Sequence, residues 1–164
     1  METRLNDLEG LRMAMDIESR GQEFYTLAEK KFTDPAIKRL FHYLAAEEAI
    51  HLETFSSYFD ELSAGKEAYE TEYLFDEAYS GYLTALADTH VFPPKEEADK
   101  VLAAIQTPAD ALRLALQAEK DSVLFYGELA ACSRFEAAKL IFRRLKDEER
   151  GHTLTLTRRL KELQ

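Results

Sequence analysis

Cysteine is almost missing from this chain: Cys132 stands alone among 164 residues. A single cysteine excludes an internal disulfide and any Cys-x-x-Cys pair for a thiolate-held iron or zinc site. It makes a reducing cytoplasm the default expectation. Positive charge is scarce as well. Lys and Arg number 21 against 31 Asp and Glu, a formal net charge of -10. Nucleic-acid binding is driven by basic groups that neutralise phosphates, so this balance disfavours it. It equally disfavours an anionic membrane surface. No apolar run approaches the roughly 20 residues that a membrane span needs. The opening Met1-Glu2-Thr3-Arg4-Leu5-Asn6-Asp7 lacks the apolar core of a signal peptide.

What is present reads as helix. Hydrophobic residues make up 46% and charged residues 32%, the balance of a soluble, helix-rich chain long enough for one domain with a substantial core. A first helix is expected from about Asp7 to Lys30, its apolar stripe Leu11, Ala14, Glu18, Gly21, Tyr25, Ala28 alternating spacings of three and four. Phe32-Thr33-Asp34-Pro35 stops it, with Asp34 suited to cap the next helix and Pro35 to its first position. A second helix then runs to about Leu62 with the stripe Ile37, Phe41, Leu44, Glu48, His51, Phe55, Tyr58. The short connection makes the two antiparallel. Thr107-Pro108-Ala109-Asp110 starts a third, with stripe Leu112, Ala115, Glu119, Ser122, Tyr126, Leu129. After a break near Ser133 a fourth runs to about Leu163, its stripe Ala138, Phe142, Leu145, Glu149, His152, Leu156, Leu160. The connection from about Ser63 to Thr107 is too long to be structureless in a compact domain. Helices are expected at 76–88 (Tyr79, Leu83, Leu86 inward) and 95–106 (Ala98, Leu102, Ile105 inward), broken apart by Pro93-Pro94. This aromatic-rich segment is expected to cover one side or one end.

The two hairpins repeat. Residues 11–62 align on 112–163 without a gap, and 16 of the 52 pairs are identical. Two antiparallel hairpins joined by a long crossover make an all-α four-helix bundle of approximate two-fold symmetry, in a single domain over 1–164. The hairpins are bounded at about 7–62 and 108–163, with the crossover at about 63–107.

Within the repeat, Glu18, Glu48 and His51 return at a constant offset as Glu119, Glu149 and His152. Residues three apart share a helix face, so Glu48 projects with His51 and Glu149 with His152. Four glutamates thus occupy positions where the pattern calls for Leu or Ile. An unpaired buried carboxylate costs several kcal/mol, and no Lys or Arg lies in these stripes to neutralise it. Two divalent cations would balance four carboxylates and leave two neutral histidines. The competing reading is that these glutamates are partly exposed and form surface pairs. Carboxylate and imidazole ligation with bridging Glu suits iron or manganese better than structural zinc, which would serve only as a substitute. Six ligands over two metals leave open positions, which suggests reactivity: bound iron could pass electrons to O2 or H2O2. Tyr25 and Tyr126 each follow a ligand Glu by seven residues and are placed to hydrogen-bond the glutamates opposite. Glu47 and Glu148 point off the stripe, as solvated groups or outer partners of the ligands. His42 and His90 are expected at the surface, and Cys132 as a plain thiol.

These residues resemble the rubrerythrin branch of the ferritin-like superfamily. The telling segments are Ile17-Glu18 with Phe24-Tyr25, Leu44-Ala45-Ala46-Glu47-Glu48-Ala49-Ile50-His51, and their repeats. The resemblance implies a ferritin-like bundle with two iron ions held by Glu18, Glu48, His51, Glu119, Glu149 and His152. It departs from rubrerythrins in two ways. Ser122 stands where they carry a further ligand Glu, which implies the six-ligand scheme of bacterioferritins. A four-cysteine rubredoxin domain is lacking, so electrons would come from a separate donor or from ferrous iron. Paired bundles in the superfamily imply a homodimer or higher oligomer. Three functions are therefore expected in order: a di-iron oxidoreductase, ferroxidase- or peroxidase-like; a non-catalytic iron carrier, buffer or sensor; and a metal-free helical scaffold.

Overall fold

The computed structural model describes residues 4–89 and 91–164; the expectation for His90 lies outside them. Among the described residues there are six α-helices and no strand: α1 (Asp7–Lys31), α2 (Pro35–Ser63), α3 (Glu77–Asp88), α4 (Lys95–Ala104), α5 (Pro108–Cys132) and α6 (Glu136–Glu162). α1 pairs with α2 and α5 with α6, and the two hairpins meet through α1 against α5 and α2 against α6. The result is a ferritin-like four-helix bundle, as the stripes required. Every stripe residue of α1 and α5 is buried, and so are those of α2 and α6 except Tyr58 and Leu160, which are partly exposed.

Helix ends follow from local chemistry. The Asn6 side chain accepts the Glu9 N–H at 3.0 Å. Asp34 accepts from Ala36 at 2.9 Å and Ile37 at 3.0 Å, with Pro35 in the first turn where its missing donor is harmless. Thr107 Oγ1 accepts the Asp110 N–H at 3.2 Å while donating to the Asp110 carboxylate at 2.7 Å. α6 has no cap from its own N-cap residue. Instead Asp7 Oδ2 accepts from the N–H groups of Arg134 at 2.8 Å and Phe135 at 3.1 Å. One buried carboxylate in the first turn of α1 thereby binds the segment that opens α6. Burial raises the Asp7 pKa, opposed by hydrogen bonds from Ser133, Arg134 and Phe135.

The crossover covers the side of the bundle formed by α1 and α5, with α4 on α1 and α3 on α5. The two helices expected there are present, but α4 ends at Ala104 because Ile105 is already extended (φ -77, ψ 125) ahead of the Thr107 cap. Two short 3-10 turns, Glu67–Tyr69 and Thr71–Tyr73, were not expected. Tyr79, expected inward, is 43% exposed. Ser80 takes the inward position, where its hydroxyl accepts the Leu5 N–H at 3.0 Å. The backbone at Leu5 passes close beside α3 there, so a small polar residue fits where a phenol ring would not.

After α3 the chain drives Val91 and Phe92 into the bundle. The Phe92 ring meets Tyr25 edge-on, with centroids 5.5 Å apart. It also covers Gly21, where an added Cβ would sit 3.0 Å from the ring.

Candidate metal centre

α1, α2, α5 and α6 bring all six expected residues to the middle of the bundle. Glu18, Glu48, His51, Glu119, Glu149 and His152 are each at most 3% exposed. Their donor atoms form two overlapping groups. Glu18, Glu48, His51 and Glu149 lie within 4.8 Å of one another, as do Glu48, Glu119, Glu149 and His152. Glu48 and Glu149 belong to both groups. Glu18 and His51 belong to the first alone, and Glu119 and His152 to the second alone.

Both imidazoles turn Nδ1 inward. His51 Nδ1 is 2.7 Å from Glu149 and 3.3 Å from Glu18. His152 Nδ1 is 2.9 Å from Glu149 and 3.6 Å from Glu119. The rings stack with centroids 5.5 Å apart. Both Nε2 atoms turn outward: His51 Nε2 lies 3.0 Å from Glu148, and His152 Nε2 lies 4.0 Å from Glu47. Glu148, only partly exposed, is therefore an outer partner of His51, while Glu47, also partly exposed, stops short of hydrogen-bond reach of His152. The two tyrosines cross the bundle: Tyr25 donates its O–H to Glu119, and Tyr126 donates to Glu18. Both are fully buried, and burial together with the neighbouring carboxylates pushes their pKa values up.

Charge dominates this interior. Among the described residues no Lys or Arg pairs with the four carboxylates, whose only cationic neighbours are the two histidines. In the metal-free cage two of the acids favour the protonated form instead. Burial raises Glu48 well above the ordinary carboxylate range, reinforced by repulsion from Glu149, Glu18 and Glu119. Burial and repulsion from Glu149 push Glu119 up to about 8, against a lowering hydrogen bond from His152. Burial also disfavours charged imidazole, but the carboxylates of Glu149 and Glu18 close to Nδ1 carry His51 up to about 11. Hydrogen bonds to Glu119 and Glu149 likewise carry His152 to about 10. Glu149 goes the other way: burial raises it, yet the hydrogen bond from His152 and the nearness of His51 and Glu119 bring it below its usual value. Three buried oxygens, Glu48 Oε1, Glu119 Oε2 and Glu149 Oε1, still lack a hydrogen-bond partner. Glu149 Oε1 is close to His51 but out of line for a hydrogen bond. Orphaned carboxylate oxygens beside inward imidazoles form a donor set that fits two oxygen- and nitrogen-seeking cations.

The remaining candidates stay outside the cage. His42 is exposed and 3.3 Å from Glu29. Cys132 is half-buried, and burial pushes its thiol up to about 12, so it carries little thiolate character. Asp7 is the buried acid that sequence reasoning missed. It sits off the repeat, and its partners lie 127 and 128 residues away.

A ferritin-like bundle with two linked Glu/His groups at its centre is the architecture of diiron-carboxylate proteins. The Rubrerythrin family model matches residues 9–160, and the chain belongs to that family. Two solved structures resemble it. One, described as a ferritin-like diiron-carboxylate protein from Thermotoga maritima, is 23% identical with a TM-score of 0.72 and covers 100% of both chains. The other, a hypothetical protein from Pyrococcus furiosus, is 26% identical with a TM-score of 0.68, covering 96% of this chain and 89% of that one. The curated proteins contain no match. No helix among the described residues is long and apolar enough to cross a membrane.

Proposed function

We propose that this chain is a non-haem di-iron oxidoreductase that oxidises Fe(II) with O2 or H2O2, or reduces peroxide. Glu18, Glu48, His51, Glu119, Glu149 and His152 are its metal ligands. The observation that carries this reading is the sharing of Glu48 and Glu149 between two four-donor groups in a dry interior. Iron fits the oxygen-rich donor set, with manganese the alternative and zinc a redox-inert substitute. A bound iron pair supplies two electrons, the number that reduces H2O2 with two protons to two waters.

The protein's own part is to hold and prepare. Glu48 and Glu149 would be shared between the two ions, with Glu18 and His51 holding one and Glu119 and His152 the other. Tyr25 and Tyr126 hold one oxygen of Glu119 and of Glu18, leaving the other oxygen of each free to ligate. Phe92, Phe24 and Phe41 around Tyr25, with Phe55, Phe125 and Phe142 around Tyr126, keep water from the sides of the cage. We infer that electrons come from Fe(II) itself or from a separate donor, and that the protein works as a homodimer or higher oligomer, which paired bundles in the superfamily support, in the cytoplasm, which its single cysteine supports.

The test is anaerobic loading with two equivalents of Fe(II) per chain, followed by stopped-flow mixing with O2 or H2O2. Near-ultraviolet ferric absorbance should rise far faster than with a Glu48→Ala, Glu149→Ala double variant. Equal rates would refute the oxidoreductase reading. Tight binding without turnover would favour a carrier or sensor, and no binding would leave only a helical scaffold.

A further inference from the structure

The ligand residues of the centre are identical in the two repeats, and the residues just outside them are not. Inside, each terminal glutamate accepts a hydrogen bond from a tyrosine of the other hairpin, while both histidines lie nearer Glu149, at 2.7 and 2.9 Å, than Glu48, at 3.7 and 3.9 Å. Outside, Glu47 and Glu148 are repeat equivalents behind His152 and His51. One turn before them the repeat breaks: Arg144 stands on α6 where Tyr43 stands on α2.

The break has a structural consequence. Arg144 Nε donates to Glu148 Oε1 at 2.9 Å, and Glu148 Oε2 lies 3.0 Å from His51 Nε2. Each oxygen of that carboxylate has one partner, so its direction is fixed from both sides. On the other half Tyr43 is turned edge-on to His152, with centroids 6.3 Å apart, and a neutral hydroxyl takes the place of the guanidinium beside Glu47 as its hydrogen-bond donor. No cation holds Glu47 among the described residues, and it stays 4.0 Å from His152 Nε2, beyond hydrogen-bond reach.

Resting on the metal-binding reading above, we propose that Arg144 is a positioning residue that makes the two metal positions unequal. Acting through Glu148, it fixes the tautomer and orientation of His51. The Glu18–His51 position therefore binds a divalent cation more tightly than the Glu119–His152 position. An exposed ion pair is screened by solvent, so the charge of Arg144, 59% exposed, changes His51 little by itself. What it supplies is a fixed acceptor for the outward N–H of a ligand imidazole, a contact whose loss costs roughly 10- to 100-fold in metal affinity.

Repulsion between two neighbouring cations separates stepwise constants even in a symmetric cage, so single positions are compared. The metal-free protein is titrated with Co2+ by calorimetry in two backgrounds. His152→Ala keeps the Glu18–His51 position, and His51→Ala keeps the Glu119–His152 position. The first should bind Co2+ about 10- to 100-fold more tightly than the second. Adding Arg144→Tyr should remove that advantage in the His152→Ala background and change nothing in the His51→Ala background. Adding Tyr43→Arg to His51→Ala should strengthen binding, a gain that a misfolded protein cannot give. Equal affinities in the two backgrounds, or an advantage that survives Arg144→Tyr, would overturn the proposal while leaving the metal centre intact. Failure of the unsubstituted protein to bind two Co2+ ions would overturn both readings.

Discussion

Loading the cage with metal should expel protons, and the structure sets the number. At neutral pH the metal-free cage carries a proton on Glu48, one on Glu119, and the second proton of each imidazole. Four protons balance four carboxylates, and two divalent cations carry the same charge. Entry of two M2+ ions should therefore release about four protons at pH 7, since ligands bind metal deprotonated. At pH 9 Glu119, whose pKa is about 8, has already lost its proton, and release should fall to about three. The apparent constant for binding the pair should fall about 10⁴-fold per unit as pH drops below 7, one decade per proton displaced. Calorimetry with Co2+ or Zn2+ in two buffers of different ionisation enthalpy gives the proton count directly. A release of one proton or none would refute the reasoning. The cage would then be ionised before metal arrives, and a dry interior would be holding unbalanced carboxylates.

The same protons set an inverted stability profile. Glu119 is raised from 4.5 to about 8, so the folded metal-free chain binds more protons than the unfolded one between those values, and stability falls as pH rises through that window. The full shift corresponds to about 5 kcal/mol at roughly 1.36 kcal/mol per pH unit. His51 and His152 act in the same direction, their stabilisation complete below pH 6.5 and lost toward about 11 and about 10. Melting curves from pH 5 to 9 should show Tm falling for metal-free protein and not for metal-loaded protein; a metal-free Tm that rises with pH counts against the cage. Tyr126→Phe removes the donor to buried Glu18 and should cost about 1.5–3 kcal/mol by denaturant unfolding of metal-free protein, the range for hydrogen bonds to charged groups. Gly21→Ala places a Cβ 3.0 Å from Phe92 and 3.3 Å from the Glu48 side chain, and should destabilise by about 1–3 kcal/mol as overpacking does. Gly151→Ala meets no atom within 4 Å and lies within exposed helix, so it should stabilise by about 0.5–1 kcal/mol. If both glycine substitutions shift the denaturation midpoint in the same direction, the packing of Phe92 against the centre is wrong.

Much of this molecule is readable from spacing, for a physical reason. A metal ligand inside a bundle must be polar where the stripe demands an apolar residue, so Glu18, Glu48, His51 and their repeats stand out against Leu, Phe and Ala. Caps at Asp34 and Thr107 act on neighbours two or three residues away and leave a local trace. Asp7 leaves none. Its partners are backbone groups far along the chain, and an Asp in a first helical turn looks like an ordinary acidic residue. Tyr79 failed for a related reason. Helical periodicity over one short helix defines a face only to about one residue, and the nearby start of the chain chose Ser80.

The repeat adds information that neither hairpin holds alone. Where one environment acts on both halves, the pairs stay identical: Glu18 with Glu119, Tyr25 with Tyr126, Glu48 with Glu149, His51 with His152. Those side chains share a single charge balance, so changing one leaves a buried group unpaired. Where the two halves face different surroundings, the pairs part. Gly21 leaves room for the Phe92 ring, while its equivalent is Ser122. Tyr43 and Arg144 sit at the exposed outer edge, where no shared balance binds them. The differences between repeats therefore mark where the two ends of the centre stop being equivalent. Departures from two-fold symmetry in metal affinity should follow those positions rather than the ligands themselves.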